Sequence, residues 1–241
     1  MSPLRPVPKG GPSDQPRCPL GACDGSGWIE LEDNSATPCD CRQAKIARAA
    51  THGMGTGIPR RFRGVSFDRR PICDLDRDVL TVVRRFVDDI DRSLDTGGGL
   101  WFAGDVGTGK TSLAMLVSLA AEKAGRSVAI YPVGRLLAEI QGSYDSQDGG
   151  YLRLFDRVCS VDLLQLDDLG TGPASDWAAH QLYSIVNERW QDERSIIVTT
   201  DTFDLDLLRE RLGRRTVSRL LEICVEPYPL MGEDLRLKSA G

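Results

Sequence analysis

The 241-residue sequence predicts an α/β fold in which a parallel sheet is flanked by helices, preceded by a small cysteine-rich module. Short apolar runs typical of buried strands alternate with segments of helical period. One strand–helix junction is rich in glycine, and four of the seven cysteines lie near the N-terminus. With 41% apolar residues, the chain is long enough for one substantial core and a small appendage.

The predicted elements follow in order from residue 76. The apolar spacing over 76–94 has the period of a helix, and the run 100–103 is typical of a short buried strand. Further strands are predicted at 127–131, 161–166 and 195–199, and further helices at 112–123, 133–141, 151–158, 176–191 and 205–212. The polar stretch 142–150 is expected to be a mobile loop. Because helices separate the strands, the sheet is expected to be parallel.

The pattern Gly-x-x-x-x-Gly-Lys-Thr stands between strand 100–103 and the helix that follows it. Loops of this type wrap a triphosphate, because glycines let consecutive backbone N–H groups point at the phosphate oxygens. Lys110 adds a positive charge, and Thr111 adds a hydroxyl for Mg²⁺. The residues that we assign to nucleotide binding are Gly104, Asp105, Val106, Gly107, Thr108, Gly109, Lys110, Thr111 and Ser112. The sequence therefore predicts an ATP site in which Lys110 also serves catalysis.

Two acids follow the predicted strand 161–166. Hydrolysis of ATP needs one acid near the magnesium ion and one that orients the attacking water. We assign Asp167, with Thr111, to magnesium and Asp168 to the water. After strand 195–199, Thr200 or Asp201 could sense the γ-phosphate, although Asp201 could equally cap the helix over 205–212.

Four cysteines precede the predicted sheet: Cys18, Cys23, Cys39 and Cys41. Two close pairs joined by a glycine-rich turn and a hairpin-like stretch can supply the four thiolates of a tetrahedral zinc site. The spacing within the pairs is irregular, so two reduced structural pairs are the alternative. Cys73, Cys159 and Cys224 are isolated and are expected to be small buried or half-buried apolar residues.

These patterns divide the chain into four segments. Residues 1–17 contain five prolines and two glycines and are expected to be a disordered tail. Residues 18–50 form the predicted zinc-binding module, residues 51–70 a basic linker, and residues 71–241 the ATPase domain.

The net charge of −5 gives no global indication of nucleic-acid binding. Locally, the stretch from Arg42 to Arg70 has eight basic residues against a single acid, Asp68, which indicates either a DNA contact or a cationic linker. The N-terminus has no apolar core segment, and no stretch approaches the length of a membrane span. We therefore expect a cytoplasmic protein with reduced cysteines and no membrane partner.

The segment 214–220 contains three arginines. In ring- or filament-forming ATPases a neighbouring subunit supplies an arginine whose planar fork neutralises charge on the γ-phosphate. An arginine that forms a surface ion pair is the alternative, and the pattern alone does not choose between them.

Taken together, these motifs resemble the AAA+ helicase loaders of the DnaC and DnaI type and their relatives, the IstB-like transposition ATPases. The resemblance covers about residues 58–237 and rests on the segments 58–68, 104–111, 163–170, 196–201, 217–222 and 232–236. It implies an AAA+ core without a C-terminal lid, because only 22 residues follow Arg219. It also implies that Arg219 is an arginine finger that acts on the ATP of the next subunit, within oligomers that assemble with ATP.

The same resemblance implies partners: a replicative helicase of the DnaB type and single-stranded DNA. The DNA path would be lined from segment 133–158 by Arg135, Tyr144, Tyr151 and Arg153. The cysteine module resembles the zinc-bearing N-terminal region of some loaders. Where family members usually carry Asn, this chain has Asp201.

The function implied is an ATP-dependent loader of the replicative helicase onto single-stranded DNA, a slow ATPase that acts as a nucleotide-controlled assembly switch. The alternative is an IstB-like transposition ATPase that partners a transposase on DNA. No sequence feature separates the loader from an adaptor that binds ATP but scarcely hydrolyses it. A small-molecule kinase is excluded, because the arginine-rich acceptor lid that it would need after the core is missing.

Overall fold

The structure is a computed structural model that describes residues 18, 21–23, 26–31, 35–39, 41–42, 57–144, 149–171, 175–232 and 234–235. The chain divides into two compact units, Met1–Ile46 and Ala47–Gly241. The expected disordered tail, residues 1–17, lies outside the described residues.

The first unit contains a small antiparallel hairpin. Strand β1 (Trp28–Glu30) pairs with β2 (Ala36–Pro38) so that Trp28 lies opposite Pro38. Cys18, Cys39 and Cys41 are buried together in this unit. A lone hairpin is only marginally stable in water, and the buried cysteines are the apolar cluster described in this unit.

The second unit is built on one five-stranded sheet. Its strands are β3 (Leu100–Ala103), β4 (Val128–Pro132), β5 (Leu163–Asp167), β6 (Ser195–Thr200) and β7 (Pro227–Pro229), in the order β4-β5-β6-β3-β7. Each neighbouring pair in this sheet is parallel. The predicted α/β fold with a parallel sheet is confirmed.

Helices cover both faces of this sheet. They are α1 (Arg77–Asp88), α2 (Ile90–Asp95), α3 (Lys110–Lys123), α4 (Val133–Ser143), α5 (Gly150–Ser160), α6 (Asp176–Gln191), α7 (Leu205–Leu212) and α8 (Arg214–Cys224). Side chains of β3 alternate between the faces, because successive residues of a strand point to opposite sides. Phe102 packs with the cluster that includes residues of α1 and α3, and Trp101 packs with the cluster that includes residues of α6 and α8.

The helix expected over 76–94 is divided in two. Asp76 caps α1, because its carboxylate accepts hydrogen bonds from the backbone N–H groups of Asp78 and Val79. At Asp89 the backbone leaves helical geometry, with φ −116° and ψ 43°, and α2 begins at the next residue. Apolar spacing alone did not show this break, because the same face stays buried through both helices.

Two elements near the C-terminus were not predicted, α8 and β7. Strand β7 has the sequence Pro-Tyr-Pro and lies at the edge of the sheet beside β3. Prolines lack the N–H that a central strand must donate, so this sequence gives a weak strand signal and is tolerated at an edge. The expected loop over 142–150 is shorter where it is described, since α4 extends to Ser143 and α5 begins at Gly150.

The second half of the expected basic linker packs onto the second unit. Ile58 is buried, and Phe62, Val65 and Phe67 lie against the same apolar cluster as α1 and α3. These apolar side chains, spaced between the arginines, anchor the segment. Among the described helices, none combines the length and the apolar character that crossing a membrane would require.

Candidate nucleotide-binding site

The glycine-rich loop joins β3 to α3 at the carboxyl end of the sheet. Helix α3 begins at Lys110, directly after the loop, so its N-terminus, which carries partial positive charge, adjoins the loop. The predicted residues that line one common cleft here are Val106, Gly107, Gly109, Lys110, Thr111, Ser112, Asp167 and Asp168. Such a strand–loop–helix junction suits the binding of a phosphate group.

The C-terminal segment forms an outer wall of this loop. Gly104 and Gly107 have φ values of 145° and 82°, which side-chain-bearing residues rarely adopt. A Cβ atom on Gly104 would overlap the carbonyl oxygen of Leu230, and one on Gly107 would overlap the carboxylate of Asp234. The backbone N–H of Leu235 donates to the carbonyl of Gly107 over 3.0 Å. These glycines thus serve both the turn and the close approach of another segment.

Lys110 is buried at the base of the loop. Its Nζ donates to the carbonyl oxygens of Gly104 and Asp105 over 2.7 and 2.6 Å. Burial lowers the pKa of Lys110, and nearby carboxylates, led by Asp168, oppose that shift. The ammonium group is therefore held within the loop beside the acids, where the charge of a triphosphate would be accommodated.

Asp167 is the buried centre of a hydroxyl network. Its Oδ2 accepts a hydrogen bond from Thr111 Oγ1 over 3.2 Å, and its Oδ1 accepts one from Thr199 Oγ1 over 2.8 Å. Burial raises the pKa of Asp167, and the hydrogen bond from Thr199 counteracts this rise. An oxygen ligand set of this kind suits Mg²⁺, so Thr111 and Asp167 fit the magnesium role assigned from the sequence.

Asp168 is exposed to the cleft immediately after β5. Its φ of 59° turns the chain out of the strand, a conformation that Asp tolerates better than most residues. The Asp168 backbone N–H donates to Thr199 Oγ1 over 2.9 Å. One hydroxyl therefore contacts both acids, and sequence reasoning missed Thr199 because this contact depends on the pairing of β5 with β6.

The cleft has a volume of about 820 Å³, within the range of small-molecule sites. Two arginines of the basic stretch, Arg61 and Arg70, line it, as do the apolar side chains of Phe62, Pro71 and Leu235. The cleft thus offers positive charge for phosphates and an apolar surface for a base. None of these five residues was predicted from the sequence to bind the nucleotide.

The sensor candidates have different positions. Thr200 is buried; its Oγ1 accepts a hydrogen bond from Trp101 Nε1 and donates to the Thr202 carbonyl, each over 3.0 Å. The Thr200 hydroxyl is therefore bonded to groups outside the cleft lining, whereas Asp201 lines the cleft. The suggestion that Asp201 caps α7 is wrong, because Asp204 accepts the hydrogen bonds at that N-terminus.

Arg219 lies on α8 and contacts groups of its own chain. Its guanidinium carbon lies 3.3 Å from the centroid of a Trp190 ring, and its Nη1 donates to Glu222 Oε1 over 3.0 Å. About 30% of the Arg219 side chain is exposed. These contacts are those of a surface arginine in a single chain, and the side chain remains accessible to a second chain.

Two of the residues assigned to a DNA path form an aromatic pair. The rings of Tyr144 and Tyr151 stack with centroids 5.0 Å apart, and Tyr144 is 49% exposed. Arg135 forms an ion pair with Glu139 on the exposed side of α4. Arg153 is exposed near the start of α5.

The four N-terminal cysteines converge on one point. Their sulfur atoms all lie within 4.8 Å of one another, with Cys18 and Cys39 at 3.8 Å and Cys23 and Cys41 at 3.5 Å. Four sulfur ligands about 2.3 Å from a tetrahedral zinc ion lie at comparable separations. The close contacts join the two halves of the sequence motif rather than neighbours within it, so the cluster fits one zinc ion better than two separate pairs.

Residues 93–223 match the protein family described as IstB-like ATP binding protein. The chain is 24% identical over 166 residues to the replicative helicase loader DnaC of Escherichia coli, which is 68% of this chain and 66% of DnaC. It is 36% identical over 107 residues to the insertion sequence ATP-binding protein y4pL of Sinorhizobium fredii, which is 44% of this chain and 42% of y4pL.

A solved structure shows the same fold. The crystal structure of a DnaC helicase loader superimposes with a TM-score of 0.62 and 27% sequence identity, covering 73% of this chain and all of that one. The AAA+ core predicted from the sequence is confirmed by this match. The chain spans less than two thirds of the length of both of these curated relatives.

Proposed function

The chain belongs to the IstB-like ATP binding protein family, and from that premise we propose that it is an ATP-dependent loader of a replicative DNA helicase onto single-stranded DNA. The observation that carries the proposal is a nucleotide cleft built within a core whose fold matches a DnaC helicase loader over that chain's full length. Acting on a helicase at DNA, it would work in the cytoplasm.

ATP would bind with its phosphates in the loop and its base toward the apolar wall. Loop N–H groups and Lys110 would contact the phosphate oxygens, and Arg61 and Arg70 would add positive charge at the mouth of the cleft. Phe62 and Pro71 give adenine an apolar surface. Thr111 and Asp167 would hold Mg²⁺, which would neutralise negative charge on the phosphates.

Asp168 would orient the attacking water. In the reaction the water oxygen forms a bond to the γ-phosphorus, the bond to the β–γ bridging oxygen breaks, and ADP and inorganic phosphate leave. Asp168 is exposed to the cleft and is held at its backbone by Thr199, so its carboxylate is free to accept a hydrogen bond from water. Within its own chain Arg219 contacts Glu222 of α8 and Trp190 of α6, and we propose that it serves the γ-phosphate of a neighbouring subunit in an ATP-dependent oligomer.

Single-stranded DNA would lie across α4 and α5. Tyr144 offers a half-exposed ring for stacking with a base, and Arg135 and Arg153 lie on the same two helices. With ATP, the chain should increase the amount of hexameric DnaB-type helicase retained on circular single-stranded DNA, and Lys110→Ala should not. If the chain retained a transposase and no helicase from host extract, the loader assignment would be overturned.

An IstB-like transposition ATPase is the second candidate. It is favoured by the 36% identity to an insertion sequence ATP-binding protein, which exceeds the identity to DnaC over a shorter segment. Retention of a transposase on duplex DNA is the result that would select it.

We propose one structural zinc ion on Cys18, Cys23, Cys39 and Cys41. Closed four-thiolate sites are structural, and binding of the metal supplies the folding energy of such small modules. Metal analysis should find one equivalent of zinc, and Cys39→Ser should lose it. Cys73→Ser is the matched control, since Cys73 is exposed and outside the cluster. Purified protein without zinc, in which all four thiols titrate freely, would contradict the proposal.

A further inference from the structure

Helix α8 presents a polar face beside the last turn of α6. Val217, Leu220 and Ile223 of α8 are buried in the core, whereas Arg219 and Glu222, spaced one turn apart, lie on the outer side. The core thereby fixes the position of α8, and with it the point from which Arg219 projects.

Three side chains on this face form a closed triangle. The Arg219 guanidinium stacks on Trp190, with 3.3 Å between its central carbon and the ring centroid. Glu222 Oε1 accepts from Arg219 Nη1 over 3.0 Å, and Glu222 Oε2 accepts from Trp190 Nε1 over 2.8 Å. Each member therefore contacts the other two, and both carboxylate oxygens of Glu222 are used.

The triangle restricts a long, flexible side chain. An unrestrained arginine loses rotamer entropy when it is immobilised. If this loss occurred only in the transition state, it would slow the reaction. Trp190 is itself partly buried against the core, so its ring is a rigid support. The ring contact limits the positions that the guanidinium can take, and the contact with Glu222 engages Nη1 while other N–H donors of the fork are left for an anion.

We infer that Trp190 and Glu222 are positioning residues for Arg219, holding its guanidinium in a fixed plane for the γ-phosphate of a neighbouring subunit. The inference rests on the proposed trans-acting role of Arg219. It assigns a function to a tryptophan and a glutamate that lie outside every motif of the nucleotide cleft.

The test compares ATP turnover by assembled protein across matched variants. Trp190→Leu removes the ring face and should lower kcat about tenfold, the effect of a cation–π contact of ordinary strength, with the KM for ATP unchanged. Trp190→Phe keeps a ring face and should restore most of the activity. Glu222→Gln, at a half-exposed carboxylate, should lower kcat by a few-fold. Arg215→Ala, an exposed arginine one turn earlier, is the control and should leave kcat unchanged.

The decisive readout is additivity. If Trp190 acts through Arg219, Trp190→Leu should cause no further loss in an Arg219→Ala background. Equal losses in both backgrounds would show a general structural effect and overturn the inference. If kcat is normal in both Glu222→Gln and Trp190→Leu while Arg219→Ala is inactive, the positioning role is wrong and the proposed finger stands. Normal hydrolysis by Arg219→Ala would instead overturn the proposed finger. If Trp190→Leu does not fold, Glu222→Gln in the two backgrounds decides by the same comparison.

Discussion

The nucleotide cleft and the Arg219 triangle both present charged groups, but they differ in how complete they are. In the cleft, polar groups from the loop, β5 and β6 are already bonded to one another: Thr199 contacts both acids, and Lys110 is held by loop carbonyls. In the triangle, an arginine is held by its own chain and faces outward. Under the proposed function, the difference implies that a single chain binds ATP, while the arginine that promotes hydrolysis acts from the surface of a neighbouring chain.

The largest expected effect is on ATP binding. Lys110→Ala should abolish it, because the substitution removes a positive charge from the triphosphate site. The thermal unfolding midpoint should change little, since Nζ contacts only loop carbonyls. A fluorescent-ATP titration is the measurement, and Lys123→Ala, at the other end of α3, is the matched control. Unchanged affinity in Lys110→Ala would show that the site is wrongly placed.

A smaller effect is expected at the hydroxyl that connects the two acids. Thr199→Val should lower ATP turnover about 10- to 100-fold, because it removes contacts to both Asp167 and the backbone of Asp168, each worth about 0.5–1.5 kcal/mol. Thr199→Ser keeps the hydroxyl and should retain most of the activity. Steady-state hydrolysis assays separate the two variants. Equal turnover in Thr199→Val and the parent chain would show that the acids need no such support.

The smallest effect is a pH dependence of stability. Burial raises the pKa of Asp167 above its unfolded value, so the nucleotide-free fold loses stability as the pH rises from the unfolded pKa to the folded pKa, and the loss is complete above the folded pKa. Asp167→Asn should therefore be slightly more stable than the parent chain at neutral pH. The difference should shrink as the pH falls below the folded pKa and vanish below the unfolded pKa, as followed by thermal unfolding across an acid series. A variant less stable than the parent at every pH would contradict this balance.

Local patterns predicted the cleft well, and contacts between distant segments were missed. The loop and both acids could be placed from sequence because each motif is contiguous and ends a strand. Thr199 could not, since its role arises from the register in which β5 and β6 pair, with Leu166 opposite Val198.

The sequence also did not predict that the C-terminal segment packs against the nucleotide loop, for a related reason. The sequence Pro-Tyr-Pro gives a weak strand signal, yet it pairs with β3 at the sheet edge and leads Asp234 and Leu235 to the loop. Trp190 was missed in the same way, because only the packing of α6 against α8 brings it to Arg219.

Mixing two inactive chains tests the central claim, that cleft and finger act across a subunit interface. Arg219→Ala retains its acids and Asp168→Asn retains its finger, and each alone should be impaired about 10³-fold or more in ATP hydrolysis while still binding ATP. Together on single-stranded DNA they should regain partial activity, because some interfaces then pair an intact acid with an intact arginine. Normal hydrolysis by Arg219→Ala alone, or no recovery at any mixing ratio, would contradict the account and leave Arg219 as a surface residue of its own chain.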